Sequence, residues 1–73
     1  MPKLYSARVV LSALKRGGFD IVSQKGSHIK LSKVTEEKVF TVIVPNHKEI
    51  ATGTFNSILK QAALTNEEFK KLV

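Results

Sequence analysis

A short basic turn between two strand-like runs is the feature that most limits how this chain can fold. The turn is Lys25–Ser27, and the runs that flank it are residues 19–24 and 28–33. Glycine and serine favour tight hairpin connections, since one central position of such a turn usually has a positive φ angle. The pattern predicts a β-hairpin in which His28 is the first residue of the second strand.

The alternation of the second strand gives its two faces different characters. Ile29 and Leu31 point to one face, whereas His28 and Lys30 share the other. We therefore expect His28 to be held by the sheet but to face solvent at the mouth of the turn. Histidine exchanges a proton near neutral pH, and Lys25 and Lys30 lie close enough to hold an anion beside it. A rigid base within a cationic rim is what phosphodiester chemistry on a nucleic acid requires.

The other two strands are predicted from β-rich and alternating runs. Residues 19–24 alternate in a way that suits a half-buried strand, and residues 38–44 form a β-rich run that ends at Pro45. Because the connections are short, the three strands are expected to form an antiparallel meander.

The helices are predicted from apolar residues at helical spacing. After a lead-in over residues 1–5, a first helix begins with Ser6 as its N-cap and ends at Gly17-Gly18. A second helix opens at Gly53-Thr54, with Thr54 as its candidate N-cap. Its expected apolar stripe is Phe55, Ile58, Leu59, Ala62 and Ala63.

A third, short helix is predicted at the end of the chain. Thr65–Glu68 matches the capping-box pattern, which predicts a helix over residues 69–73. The element order is therefore α-β-β-β-α with a small helix appended. At this length we expect a single α+β domain that spans residues 1–73.

The charge of the chain is one-sided. Residues 1–33 carry seven basic side chains and one acidic one, whereas residues 34–73 carry five of each, so the whole net charge of +6 lies in the first part. Such an excess favours a polyanionic partner, nucleic acid before membrane, because no long amphipathic basic helix is present. The absence of cysteine and of an apolar run of about 20 residues makes a cytoplasmic protein the default expectation.

The residue types of the turn suit RNA cleavage without a metal. The 2′-OH of RNA is its own nucleophile, so an enzyme needs a base, a donor for the leaving 5′-oxygen and positive charge at the phosphate. His28 supplies the first or second role, Lys25 and Lys30 neutralise the phosphate, and the N–H groups of Gly26 and Ser27 hydrogen-bond its oxygens. The six acidic residues are scattered rather than clustered at ligand spacing, so neither a metal nor another cofactor is expected.

The second histidine leaves an alternative open. His47 follows the third strand, and the register of the strands decides whether it lies at the same end of the sheet as His28 or at the opposite one. It is either a solvated loop residue or a catalytic or RNA-contacting one. The group that would partner His28 in catalysis is not identified at this stage.

Three segments together resemble the HicA toxin family of small RNA-cleaving proteins. They are residues 18–28, in which Gly26-Ser27-His28 is the most specific part, residues 44–50, and residues 53–62. With the order of helices and strands, the resemblance covers about residues 6–65. One departure is Ala63, which stands where members of the family commonly have glycine.

The resemblance implies a fold like that of double-stranded-RNA-binding domains, with a three-stranded antiparallel sheet and both main helices on one face. It also implies metal-independent cleavage of mRNA with His28 as the catalytic residue, and a HicB-type antitoxin that covers the active site. Two other classes of function remain open. One is a non-catalytic module that represses translation by occupying RNA, and the other is a protein that serves only heteromeric assembly.

Overall fold

The computed structural model describes residues 4–73, so part of the expected lead-in lies outside the described residues. The element order is α-β-β-β-α with a third helix appended, which confirms the prediction. The elements are α1 Ala7–Arg16, β1 Asp20–Lys25, β2 His28–Val34, β3 Val39–Pro45, α2 Thr52–Ala62 and α3 Asn66–Leu72.

The three strands form one antiparallel sheet in the order β1-β2-β3, with β2 in the centre. The inward-facing side chains of β2 and β3 are buried beneath the helices: Ile29, Leu31, Val42 and Val44. The opposite face, which carries His28 and Lys30, is left open. This α+β arrangement is that of the double-stranded-RNA-binding-domain-like fold, as the resemblance implied.

An aromatic cluster joins the two ends of the described chain. The ring of Phe69 in α3 is fully buried and lies 5.2 Å from the ring of Tyr5 and 4.9 Å from that of Phe55, measured between centroids. Both contacts have the edge-to-face geometry that aromatic pairs favour. The third helix is therefore an integral part of the hydrophobic core.

Two predicted helix caps are confirmed. The Ser6 hydroxyl accepts a hydrogen bond from the Val9 N–H at 3.2 Å, which supplies a partner for one of the free N–H groups at the start of α1. Thr65 and Glu68 form the full capping box. Because the cap residue is Thr65 itself, α3 begins at Asn66 and not at residue 69 as predicted.

The predicted N-cap of α2 is wrong. Thr54 lies inside the helix, which starts at Thr52 and has Ala51 as its N-cap. Alanine offers no side-chain acceptor, so α2 begins without a capping hydrogen bond. Sequence favoured Thr54 because threonine is a good cap. The N-cap position lies three residues earlier in the chain than predicted, at Ala51.

The expectation of a half-buried first strand is also wrong. All six residues of β1 are exposed, and Ile21 has 43% of its surface in contact with solvent. The helices pack against β2 and β3 but do not extend over the β1 edge, and an irregularity in pairing between Ile21 and Ser23 interrupts the alternation. Phe19 is buried, but it precedes the strand.

The predicted stripe of α2 is correct except at its last member. Phe55, Ile58, Leu59 and Ala62 are buried, whereas Ala63 is exposed and ends the helix in the left-handed conformation, with a φ of 57°. That conformation is the one in which glycine commonly ends a helix. A glycine at this position, which the resemblance implies, would adopt this conformation without strain.

Candidate active site

The turn between β1 and β2 has the geometry that its sequence predicts. Gly26 and Ser27 are its two central residues, and Gly26 has a φ of 59°. A Cβ atom at Gly26 would meet nothing within 4 Å, so glycine is needed there for its backbone conformation and not for space. The turn fixes His28 as the first residue of β2, as predicted.

His28 lies between two strand neighbours on the open face of the sheet. It pairs with Lys25 on β1 and with Pro45 on β3, and its side chain is exposed. Directly paired residues point to the same face, and so does Lys30, two residues further along β2. The shared face of His28 and Lys30 is as predicted, whereas Lys25, which was expected in the turn, is the last residue of β1 and joins them on that face.

A backbone hydrogen bond brings the loop after β3 to the turn before β2. The N–H of Asn46 donates to the carbonyl of Ser27 at 2.6 Å, and the N–H of His47 donates to the carbonyl of Pro45 at 2.9 Å. The carbonyl of His47 accepts from the N–H of Ala7 at 2.9 Å, at the start of α1. These bonds fix the backbone on both sides of His47.

Both histidines line one depression of about 500 Å³. Its wall comprises residues from β2, β3, the following loop and α2: His28, Ile43, Pro45, His47, Glu49, Ala51, Thr54 and Gln61. The register question is therefore answered, because His28 and His47 lie at the same end of the sheet. Two imidazole groups, the commonest general acids and bases in enzymes, thus line a single depression.

A second depression continues from His47 along the start of α1. It has a volume of about 620 Å³, and Arg8 and Lys48 add two cations to it. Together with Lys25 and Lys30 on the sheet, they give the surface around the histidines a positive character. Sequence reasoning did not select Arg8 or Lys48 as site residues: Arg8 lies far from both histidines in the sequence, and Lys48, although it follows His47 directly, was given no role of its own.

One further residue of the histidine depression could not be found from sequence. Gln61 lies on α2, and its Oε1 atom accepts a hydrogen bond from the N–H of Ile43 at 3.0 Å. This bond crosses from the helix to the free edge of β3. No spacing rule connects residue 61 to a histidine 33 positions earlier, so only the three-dimensional structure reveals the relation.

Neither a metal-ligand cluster nor a membrane-spanning helix is present in the part of the chain that the structure describes. Within residues 4–73, His, Asp and Glu side chains nowhere gather in a group of three that could hold a metal ion. No helix in that range is long and apolar enough to cross a bilayer.

A comparison with known protein families gives one match over most of the chain. Residues 7–64 match the family described as the HicA toxin of bacterial toxin–antitoxin systems, which is well over half of the chain. The chain belongs to the HicA toxin family. It is therefore the toxin component of a toxin–antitoxin system, and the resemblance seen in the sequence is confirmed. A search of curated proteins found no match. Helix α3 lies outside the matched range, although its Phe69 is part of the core of this HicA-family toxin.

Proposed function

We propose that this HicA-family toxin is an endoribonuclease that cleaves mRNA in the depression between His28 and His47. The observation that supports this most directly is that the depression holds both histidines of the chain. The hydrogen bond between Ser27 and Asn46 holds the backbone segments that carry them together. Metal-free cleavage of RNA needs two proton-transferring groups on either side of one phosphate, and this site provides two.

In the proposed reaction, one histidine removes the proton of the 2′-OH, and its oxygen attacks the neighbouring phosphorus. The other histidine protonates the 5′-oxygen as the P–O5′ bond breaks, which leaves a 2′,3′-cyclic phosphate and a free 5′-OH. General acid–base help of this kind is typically worth about 10²–10⁴-fold in rate. Lys25 and Lys30, with the N–H groups of Gly26 and Ser27, bind the phosphate and offset its charge.

Single-stranded mRNA is the proposed substrate. The depression lies at one end of the sheet, and its open neighbour carries Arg8 and Lys48. An extended RNA strand can run along the surface that carries these two cations. In unpaired RNA, the 2′-OH and the phosphate are free to adopt the geometry needed for attack. Duplex recognition by related folds instead relies on shape-matched contacts across successive grooves.

A HicB-type antitoxin is the proposed protein partner, and the cytoplasm, where mRNA is available, is the proposed location. The family is one of toxin–antitoxin pairs. The positive face around His28 favours a partner with an acidic surface, because complementary charge speeds association and favours the right partner. An antitoxin that covers the depression would block access of RNA to both histidines.

The test compares the parent protein with His28→Ala on an mRNA substrate in the presence of EDTA. We expect the parent to produce fragments with 2′,3′-cyclic phosphate ends and His28→Ala to produce none. Because His28 is exposed, the unfolding temperature of the variant should equal that of the parent. Thr41→Ala, which removes another exposed side chain from the same sheet, is the matched control and should cleave like the parent.

Two results would contradict the proposal. If His28→Ala cleaves as fast as the parent, His28 is not catalytic. If the parent leaves RNA intact but shifts its mobility in a gel, the chain is a non-catalytic RNA-binding module that represses translation by occupancy.

A further inference from the structure

The side-chain amide of Gln61, an exposed residue that lines the histidine depression, is anchored by one hydrogen bond. Its partner, the backbone N–H of Ile43, is a donor, so the amide atom at 3.0 Å must be the oxygen Oε1. The Nε2 group, which is always a donor, is not used by this bond. No described residue accepts a hydrogen bond from this group, and Gln61 lines the same depression as His28 and His47.

The anchoring bond is available because of the sheet topology. Strand β3 lies at the edge of the sheet, and in its register Ile43 is opposite Lys30 of β2. The N–H of Ile43 is turned outward to the free edge, where α2 supplies Gln61. The bond to the sheet backbone favours one arrangement of this long, exposed side chain, which lowers the entropy cost of using its other end for binding.

We propose that Nε2 of Gln61 donates a hydrogen bond to a non-bridging oxygen of the scissile phosphate. This hydrogen bond becomes stronger as negative charge grows on that oxygen during the reaction. This role rests on the proposed RNA cleavage, and it makes Gln61 a third catalytic residue beside the two histidines. Lys25 and Lys30 approach from the open face of the sheet, whereas Gln61 approaches from the helix side of β3. Gln61 thus adds a neutral donor from inside the depression, which the two lysines do not line.

Gln61 neither gains nor loses a proton in this scheme. The bond from the 2′-oxygen to phosphorus forms and the bond from phosphorus to the 5′-oxygen breaks. One histidine removes the proton of the 2′-OH, and the other donates a proton to the 5′-oxygen. The amide stabilises the phosphate oxygen that becomes more negative in the transition state. Removing one oriented donor of this kind from an enzyme typically costs about 10²–10³-fold in kcat.

The experiment uses Gln61→Glu in the full chain. Glutamate keeps an oxygen for the N–H of Ile43 but has no amide donor, so the edge contact survives while the proposed phosphate contact is lost. Asn56→Asp is the matched control, because it makes the same amide-to-carboxylate change at an exposed position of α2 whose side chain lines a different depression. Cleavage is measured as kcat, and ground-state binding as the Kd for RNA with 2′-O-methyl groups, which cannot be cut.

We expect Gln61→Glu to unfold at the temperature of the parent, to lose about 10²-fold in kcat and to lose less than about tenfold in Kd. Asn56→Asp should stay within about threefold of the parent in both quantities. A Gln61→Glu variant that cuts RNA at the parental rate would overturn the proposal. So would a variant whose whole loss of activity appears in the Kd, because charge repulsion alone then explains it.

A second measurement separates this proposal from the proposed function. In the parent, the side-chain amide signals of Gln61 are followed by NMR while the 2′-O-methyl RNA is added. A selective shift of these signals supports the phosphate contact, and an unchanged signal at saturating RNA contradicts it. This measurement needs only binding, so failure of the parent to cut RNA would count against the proposed function and not against the contact.

Discussion

Ser27 accepts a hydrogen bond from the backbone N–H of Asn46, and each of these residues immediately precedes a histidine. The bond joins the turn before β2 to the loop after β3, which lie 19 residues apart in sequence. Because it is formed by backbone atoms, it does not depend on the long side chains around it. The backbone segments that carry the two histidines are thereby fixed before any substrate binds, which is what precise placement of reacting groups requires.

His47→Ala is expected to reduce kcat for RNA cleavage by about 10²-fold or more, because it removes one of two proton-transferring groups. The backbone bonds at residue 47 do not involve its side chain, so the unfolding temperature should not change. Single-turnover cleavage and thermal unfolding of the same sample test both parts. If the variant has the kcat of the parent, His47 is a solvated loop residue and another residue is the second catalytic group.

Ala63→Gly is expected to stabilise the protein by about 0.5–1 kcal/mol. A non-glycine residue in the left-handed region costs about 1–2 kcal/mol, and part of this gain is offset by the greater freedom of glycine in the unfolded chain. Urea unfolding at equilibrium gives the difference. Ala62→Gly is the matched control, since the same change one residue earlier, at a buried helical position, should destabilise the protein. Equal effects of the two variants would contradict the conformational explanation.

Phe69→Ala is expected to cost about 3–5 kcal/mol of unfolding free energy, because it opens a cavity in the cluster with Tyr5 and Phe55. That is a large share of the roughly 4–11 kcal/mol typical of a domain of this size. Chemical denaturation followed by circular dichroism measures the loss. Val73→Ala, at an exposed position in the same terminal segment, should change stability by less than about 0.5 kcal/mol.

Glu68 is expected to contribute to stability in a pH-dependent way. The pKa of its carboxyl is lowered by the hydrogen bond from the backbone N–H of Thr65, then by the Thr65 hydroxyl, with a smaller effect of Lys71. Folding thus favours the charged form, so this contribution is present above the ordinary pKa range of glutamate and is lost as the pH falls through the lowered pKa. Protonation of Glu68 in acid therefore lowers the free energy of unfolding.

Glu68→Gln should accordingly be less stable than the parent at neutral pH, and the difference should shrink in acid. Thermal unfolding of both proteins across the pH range measures this convergence. Glu67→Gln removes the same charge from the first turn of α3 but leaves the capping box in place, and serves as the control. A gap between Glu68→Gln and the parent that stays constant with pH would contradict the assignment.

The parts of the fold that sequence predicted are those that depend on local chemistry. The Ser6 and Thr65 caps, the Gly26 turn and the two faces of β2 all follow from residue type and spacing. The exposure of β1 could not be predicted, because alternation does not reveal whether a helix covers that edge of the sheet.

The candidate site divides in the same way. His28 and Lys30 were placed correctly on one face because they are two residues apart along one strand, and Lys25 was expected near His28 because it belongs to the same hairpin. His47 depends on the register of β2 and β3 and on a loop hydrogen bond, and Gln61 on how α2 lies against the edge of β3. Both relations are set by packing between distant segments, which the spacing of residues in one sequence does not encode.

The contact between Ile43 and Gln61 has a consequence for how the sheet meets other chains. The outward N–H of Ile43 is already occupied, so an extended strand of another molecule cannot pair there without displacing a side chain. At the opposite edge, the irregularity near Ile21 breaks the regular ladder that such a strand would need. At both borders of the sheet, regular pairing with a strand of another molecule is thus hindered at one position, which lowers the tendency of the sheet to extend from one molecule to the next.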